Sequence, residues 1–176
     1  VGLMLIERLV MREKKRVLLL VPKSARETVW ERNIQRFMPQ ILNGFLPFKI
    51  YNHTDLMRGE SADNRNFSAE WDQMKEQADA VIIDEAHHFR NQASNSYRKL
   101  FEMVEGKQLF FLTATPINNS TLDLQHLIEL FSRRQPDYFR SLGINSLVGH
   151  FRELENALAK IAGGGKNHTG AAAKFR

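Results

Sequence analysis

Two adjacent carboxylates, Asp84 and Glu85, follow directly on the apolar run Ala80-Val81-Ile82-Ile83, and Ala86-His87-His88-Phe89 comes after them. Small and branched apolar residues in unbroken succession read as a strand buried on both faces, so the acids stand at its carboxyl end. In an open parallel sheet that end is where ligands bind. A carboxylate there can hold a magnesium ion beside a nucleotide's phosphates, while its neighbour orients or deprotonates an attacking water. Asp84 is then the candidate metal residue and Glu85 the candidate base. Acid pairs also follow strands because loops are polar and acids cap helices, so the pair alone does not separate the two readings.

The chain must supply the sheet that positions them. Its 176 residues, 43% of them hydrophobic, fit one domain of ordinary size with a real core. It has no cysteine, which excludes a disulfide framework and a thiolate metal site and makes a reducing, intracellular home the expectation. No apolar run approaches the ~20 residues of a membrane span, so no membrane partner is expected. The opening Val1-Gly2-Leu3-Met4-Leu5-Ile6 is broken by Glu7 and Arg8 and resembles neither a signal peptide nor a natural start; the chain is expected to begin inside a domain. A formal charge of +5 biases it mildly toward polyanions and decides nothing by itself.

Along the chain, Leu5, Ile6, Leu9 and Val10 recur at helical spacing before a charged helix end, and Val17 to Val21 is a second buried strand stopped by Pro22. Lys23-Ser24-Ala25-Arg26-Glu27 has the form of a capping box with Ser24 as cap. It leads into a helix whose apolar face is Ala25, Val29, Ile34 and Phe37, with Trp30 nearby. A capped helix start after a parallel strand offers free N–H groups to a phosphate, and Lys23 adds a charge there. Phe48 to Tyr51 reads as a short strand, and 52–66 as a polar loop around Gly59. A helix follows from Phe67 to Gln77 with Trp71 and Met74 inward. Beyond Phe89, Tyr97 to Val104 is a helix burying Leu100, Phe101 and Val104, closed by Gly106. Gln108 to Thr113 is another buried strand with Ala114-Thr115-Pro116 as its exit. Asn118-Asn119-Ser120 can cap a helix from Thr121 to Phe131 with a stripe of Leu124, Leu127, Ile128 and Phe131, and Leu147 to Ile161 fits a further amphipathic helix. Residues 163–176 read as a flexible tail or linker. Their Gly163-Gly164-Gly165-Lys166 is not a phosphate loop, because Asn167 stands where a serine or threonine is needed and no strand precedes it.

Alternating strands and helices with chemistry at strand ends predict an α/β fold with a parallel sheet flanked by helices. Asp84-Glu85-Ala86-His87 and Thr113-Ala114-Thr115-Pro116 resemble motifs II and III of the superfamily two helicases and translocases, and Val21-Pro22-Lys23-Ser24, with Trp30 downstream, resembles motif Ia. The resemblance covers Val17 to about Phe131 and implies a RecA-like lobe of the P-loop NTPase kind, over residues 1–162. It implies ATP and Mg2+ as cofactors, magnesium coordination by Asp84, water activation by Glu85 and a coupling role for His87. Thr113 and Thr115 would link the nucleotide site to the nucleic-acid track, and Pro22, Lys23 and Ser24 would touch the nucleic-acid backbone. Thr115-Pro116-Ile117-Asn118-Asn119-Ser120, running into Leu122-Asp123-Leu124, is similar to the Swi/Snf-type branch, whereas DEAD-box enzymes carry an aspartate at the position of His87 and normally Ser-Ala-Thr at motif III. Double-stranded DNA is the implied partner, and the cytoplasm (on a bacterial nucleoid) or the nucleus the implied location.

The family's Gly-x-Gly-Lys-Thr loop occurs nowhere in the sequence, and neither does its second lobe. The expectation is an incomplete lobe, inactive by itself, from an ATP-driven DNA translocase. Two other readings stay open: a non-catalytic nucleic-acid or protein-binding module that keeps the lobe's shape, and a metal-dependent hydrolase using Asp84, Glu85, His87 and His88.

Overall fold

The structure, a computed structural model, describes residues 1–42, 46–58, 65–115 and 121–162, without the side chains of 65–68, 70 and 162. Residues 59–64 around Gly59, the string Pro116 to Ser120 and the tail 163–176 lie outside the described residues, and the rest of the expected loop over 52–66 is corrected: Asn52 ends a strand, Asp55–Arg58 is a helical turn and a helix starts at Arg65. The chain divides into two compact units, Val1–Pro116 and Ile117–Arg176.

In the first unit the elements run α1 (Gly2–Ile6), β1 (Val17–Val21), α2 (Lys23–Ala25), α3 (Arg32–Phe37), α4 (Pro39–Leu42), β2 (Phe48–Asn52), α5 (Asp55–Arg58), α6 (Arg65–Gln77), β3 (Ala80–Asp84), α7 (Asn95–Met103) and β4 (Gln108–Leu112). The strands form one sheet in the order β2-β1-β3-β4. All pairs are parallel, in a register that sets Leu20 beside Ile83 and Asp84 beside Leu112. Every carboxyl end therefore lies on one rim, as the α/β expectation requires. Among the described residues no helix is long and apolar enough to cross a membrane.

The period of two along each strand divides the core into two layers. Val17, Leu19 and Val21 join Phe48, Ile50, Ala80 and Ile82 in one cluster with Ile6, Leu9, Val10, Trp30, Ile34 and Ile41. Leu18, Leu20, Val81 and Ile83 alternate to the opposite face and are equally buried, and on that side Tyr51 meets Trp71 edge-on at 4.8 Å. Each fully buried aliphatic side chain contributes roughly 1.5–3 kcal/mol relative to exposure. At the rim opposite the acids, Asp79 Oδ2 accepts the Arg16 backbone N–H at 2.8 Å, pinning the start of β3 to that of β1.

Several local expectations are corrected. Ser24 does not cap a helix: Pro22 is the N-cap, without a side-chain cap bond, and the helix begins at Lys23. Val29 and Phe37 are exposed, and the buried stripe is Trp30, Ile34 and Met38. A π-helical turn over Arg26–Glu31, in which Arg32 N–H reaches back to Glu27 O, lies between α2 and α3. Ile34 and Ala25 keep the expected side, the one fully buried and the other packed against the core, while Trp30, Ile34 and Met38, four residues apart, form the inward face. A second π turn, Glu7–Arg12, continues α1. β4 is an edge strand whose Phe110, Phe111 and Leu112 are half-buried rather than covered on both faces, and Phe101 is likewise half-buried. Ser94 caps α7, accepting the Tyr97 N–H at 3.1 Å, and Gly106 follows it at φ 70, the left-handed conformation that glycine adopts without penalty.

The second unit contains α8 (Thr121–Phe131) and α9 (Leu147–Ala162), which pack on each other and are tied by a hydrogen bond from the Thr121 hydroxyl to Glu155. Leu127 and Leu130 are buried on α8, whereas Phe131 is turned out and meets Tyr138 edge-on at 5.7 Å.

Candidate functional site

Asp84 is the last residue of β3, and its parity places it on the face that carries Trp30. Its carboxylate is held at both oxygens. Oδ2 accepts the indole N–H of Trp30 at 2.6 Å, and Oδ1 accepts the Glu85 backbone N–H at 3.0 Å. A hydrogen bond to a charged acceptor contributes about 1.5–3 kcal/mol where water is largely excluded. The Asp84 backbone carbonyl is engaged as well, by His53 Nε2–H at 2.9 Å.

Glu85 leaves the strand with φ 50 and ψ 48, a left-handed conformation that costs a residue with a side chain about 1–2 kcal/mol. The kink starts the short 3-10 turn Ala86–Phe89, whose Ala86 and Phe89 are buried anchors. It brings Glu85 Oε2 to 3.0 Å from His87 Nδ1. The same ring nitrogen lies 3.3 Å from Thr113 Oγ1, just past the end of β4. Thr113 Oγ1 in turn accepts the Thr115 backbone N–H at 3.3 Å. The structure therefore brings Asp84, Glu85, His87, Thr113 and Thr115 together across the ends of β3 and β4. Pro22, Lys23 and Ser24 stand on the same rim at the end of β1, with Lys23 and Ser24 exposed.

Two residues of this rim were not singled out as functional by the sequence. Trp30 reads as core and is core, at 7% exposure, but its N–H is spent on Asp84. Only a contact across 54 positions reveals that, and no local pattern does. His53, directly after β2, packs edge-on against Phe89 at 4.9 Å and against His88 at 5.5 Å. Burial, and next the positive charge of His88, push it down to about 4, so it is a neutral donor at ordinary pH. Its position after a parallel strand was the available signal.

The donors suit one metal class. Magnesium binds through one or two carboxylates, keeps several waters and takes the rest of its shell from phosphates, and Asp84 offers half-exposed oxygen donors of that kind. Among the described residues no three His, Asp or Glu side chains converge as a metal cluster. His87 faces Glu85 and Thr113, and the exposed His88 lies ring against ring with His87 at 4.4 Å, yet the four side chains of the metal-dependent hydrolase reading form no metal-holding group among the described residues.

The family model described as SNF2-related domain matches residues 2–145. The chain is 25% identical over 154 residues to nucleoside triphosphatase I of Heliothis armigera entomopoxvirus, covering 81% of this chain and 23% of that protein. It is 35% identical over 83 residues to a Caenorhabditis elegans homologue of the SWI/SNF-related matrix-associated actin-dependent regulator of chromatin, subfamily A containing DEAD/H box 1, covering 44% of this chain and 8% of that one. Among solved structures it is similar to the Sulfolobus solfataricus SWI2/SNF2 ATPase core in complex with dsDNA, with a TM-score of 0.48 and 19% identity over 69% of this chain and 26% of the other. The chain thus spans about a quarter or less of the length of these relatives.

Proposed function

The chain belongs to the SNF2-related domain family, and from that premise we propose that it is the first RecA-like lobe of an ATP-dependent DNA translocase that acts inside the cell on duplex DNA. The observation that carries this reading is the link through His87, whose Nδ1 lies 3.0 Å from the Glu85 carboxylate and 3.3 Å from the Thr113 hydroxyl. Two segments that the sequence suggests for hydrolysis and coupling meet at one imidazole.

In this reading each residue has a definite task. Asp84 holds Mg2+ through lone pairs left over by its two N–H donors. Bound magnesium would neutralise charge on the phosphoryl oxygens of ATP. Glu85 uses Oε1, which has no partner among the described residues, to orient the attacking water and take its proton, while Oε2 stays on His87. His87 holds the base and, with Thr113 and Thr115, joins it to the end of β4. Pro22, Lys23 and Ser24 contact the DNA backbone, Lys23 as the point charge.

Nucleotide affinity needs a phosphate cradle and its lysine, and completion of the site needs a second lobe. The 176 residues contain neither, so this chain alone is inactive in the proposal, as part of a longer parent. The parent should show ATPase activity that rises with duplex DNA and is abolished by Glu85→Gln. Undiminished hydrolysis in that variant would overturn the role of Glu85. Salt-dependent DNA binding with no ATPase in the parent would favour the binding-module reading instead.

A further inference from the structure

The Asp84 carboxylate is oriented entirely by neutral donors: the Trp30 indole N–H on Oδ2 at 2.6 Å and the Glu85 backbone N–H on Oδ1 at 3.0 Å. An arginine or lysine in either place would compete with a cation for the negative charge. An indole or a peptide N–H fixes the plane of the carboxylate and leaves the charge intact. Each oxygen has two lone pairs, so one remains open on each.

The backbone donor comes with the αL turn at Glu85 and is local. The indole is not local, and the molecule holds it at both ends. Nε1 is bonded to Asp84, and the far edge of the six-membered ring lies over Gly2. A Cβ built at Gly2 would stand 2.4 Å from Cη2 of Trp30 and 3.1 Å from Cδ1 of Leu112, so the ring occupies space that only a glycine leaves. With 7% exposure and a place in the core cluster with Ile6, Leu9 and Val10, the indole cannot swing away without opening that layer. Trp30 lies within the π turn Arg26–Glu31 on the same inward face as Ile34 and Met38, with Val29 outside.

We propose that Trp30 is a positioning residue for a divalent cation at Asp84, its indole N–H setting the carboxylate plane and Gly2 providing the space that keeps the ring there. This rests on the reading of Asp84 as the magnesium carboxylate and adds the residue that orients it. Outer partners of a metal ligand typically change metal affinity 10- to 100-fold when removed.

The chain has two tryptophans, Trp30 and Trp71, so the test can be read in the chain itself. With isotope-labelled tryptophan, NMR resolves both indole N–H signals, and Mn2+ alone serves as the probe. Asp84→Asn should move the Trp30 signal and leave that of Trp71 in place. Mn2+ should broaden the Trp30 signal selectively, and not in Asp84→Asn. Trp30→Phe should weaken Mn2+ binding, followed by the electron resonance of the free ion, by about ten-fold or more. Benzothienylalanine at position 30 keeps the ring shape, lacks the N–H and should give the same loss if the phenylalanine variant does not fold. Gly2→Ala keeps the N–H but displaces the ring, and should shift the Trp30 signal and loosen Mn2+ as well. A Trp30 signal indifferent to Asp84→Asn, Mn2+ that leaves both signals sharp, or full Mn2+ affinity without the indole N–H would each overturn the proposal. A parent protein that fails to hydrolyse ATP while these results hold would overturn the proposed function and leave this arrangement standing.

Discussion

His87 Nδ1 lies 3.0 Å from Glu85 Oε2, close enough to hold one carboxylate oxygen of the candidate base in place. With the proton on Nδ1 the ring can donate to Glu85 and also reach the Thr113 hydroxyl at 3.3 Å, which joins the ends of β3 and β4. In the parent protein, His87→Ala should lower DNA-stimulated ATP turnover on the order of 10-fold or more. Thr113→Val should lower the stimulation by DNA while sparing basal hydrolysis. Steady-state ATPase assays with and without duplex DNA separate the two effects, and equal loss of basal and stimulated rates in Thr113→Val would remove the threonine from any coupling role.

The backbone at Glu85, φ 50, is a conformation that glycine adopts freely and β-branched residues resist. Glu85→Gly should leave the stability of the chain unchanged or raise it by up to about 1 kcal/mol, whereas Glu85→Val should lower it by about 1–2 kcal/mol. Thermal denaturation of the two variants checks this. A valine variant as stable as the glycine variant would mean that the turn relaxes in solution.

His53 gives the fold a pH dependence of definite sign. Its folded value of about 4 lies below the ordinary 6.5, first because of burial and then because of His88. Between those values the unfolded chain binds a proton that the folded chain does not, so stability rises with pH across that window. The contribution is complete above about 6.5 and is lost as pH falls toward about 4. His88, lowered by burial and then by His87, adds slope in the same direction. Urea midpoints across the window should follow this slope, and His53→Phe, which keeps an aromatic ring beside Phe89, should flatten it.

The helix after β1 separates by phase. Ile34 is fully buried, so Ile34→Ala should cost about 2–5 kcal/mol. Val29 and Phe37 are exposed, at 48% and 59%, so serine at either should stay within about 0.5 kcal/mol of the parent chain. Denaturant melts of the three variants test this phase, because an inward face through Val29 and Phe37 would make both serine variants costly.

The sheet was legible in the sequence because its strands are continuous apolar runs, and period two then assigns faces without further information. Asp84 shares parity with Ala80 and Ile82, which puts it on the α1 side. Of the candidate site, the shared position of Asp84, Glu85, His87 and Thr113 at the ends of two strands was legible, since each lies at or just past the end of an apolar run. The parts that escaped depend on contacts that no window of sequence contains. The Ser24 capping box failed because Pro22, already extended at ψ 142, takes the N-cap position itself. The apolar stripe held at Ala25 and Ile34 and failed at Val29 and Phe37, because the inward face runs through Trp30, Ile34 and Met38 at spacing four instead. Gln108 to Thr113 looks as apolar as the inner strands, yet a run's composition does not say whether it will lie at the sheet's margin.

β1 lies between β2 and β3, and all five of its residues are buried. On the ribosome it emerges ahead of both neighbours. After β2 has joined it, its other side still waits for Ala80 to Asp84, with the helices α5 and α6 synthesised in between. A nascent polypeptide halted in that interval carries an oily ribbon with one open flank, the state most easily captured by a chaperone or by another unfinished copy. The strand that covers this open flank is the one bearing Asp84, so the pairing that closes the centre of the sheet also carries the acid to the rim.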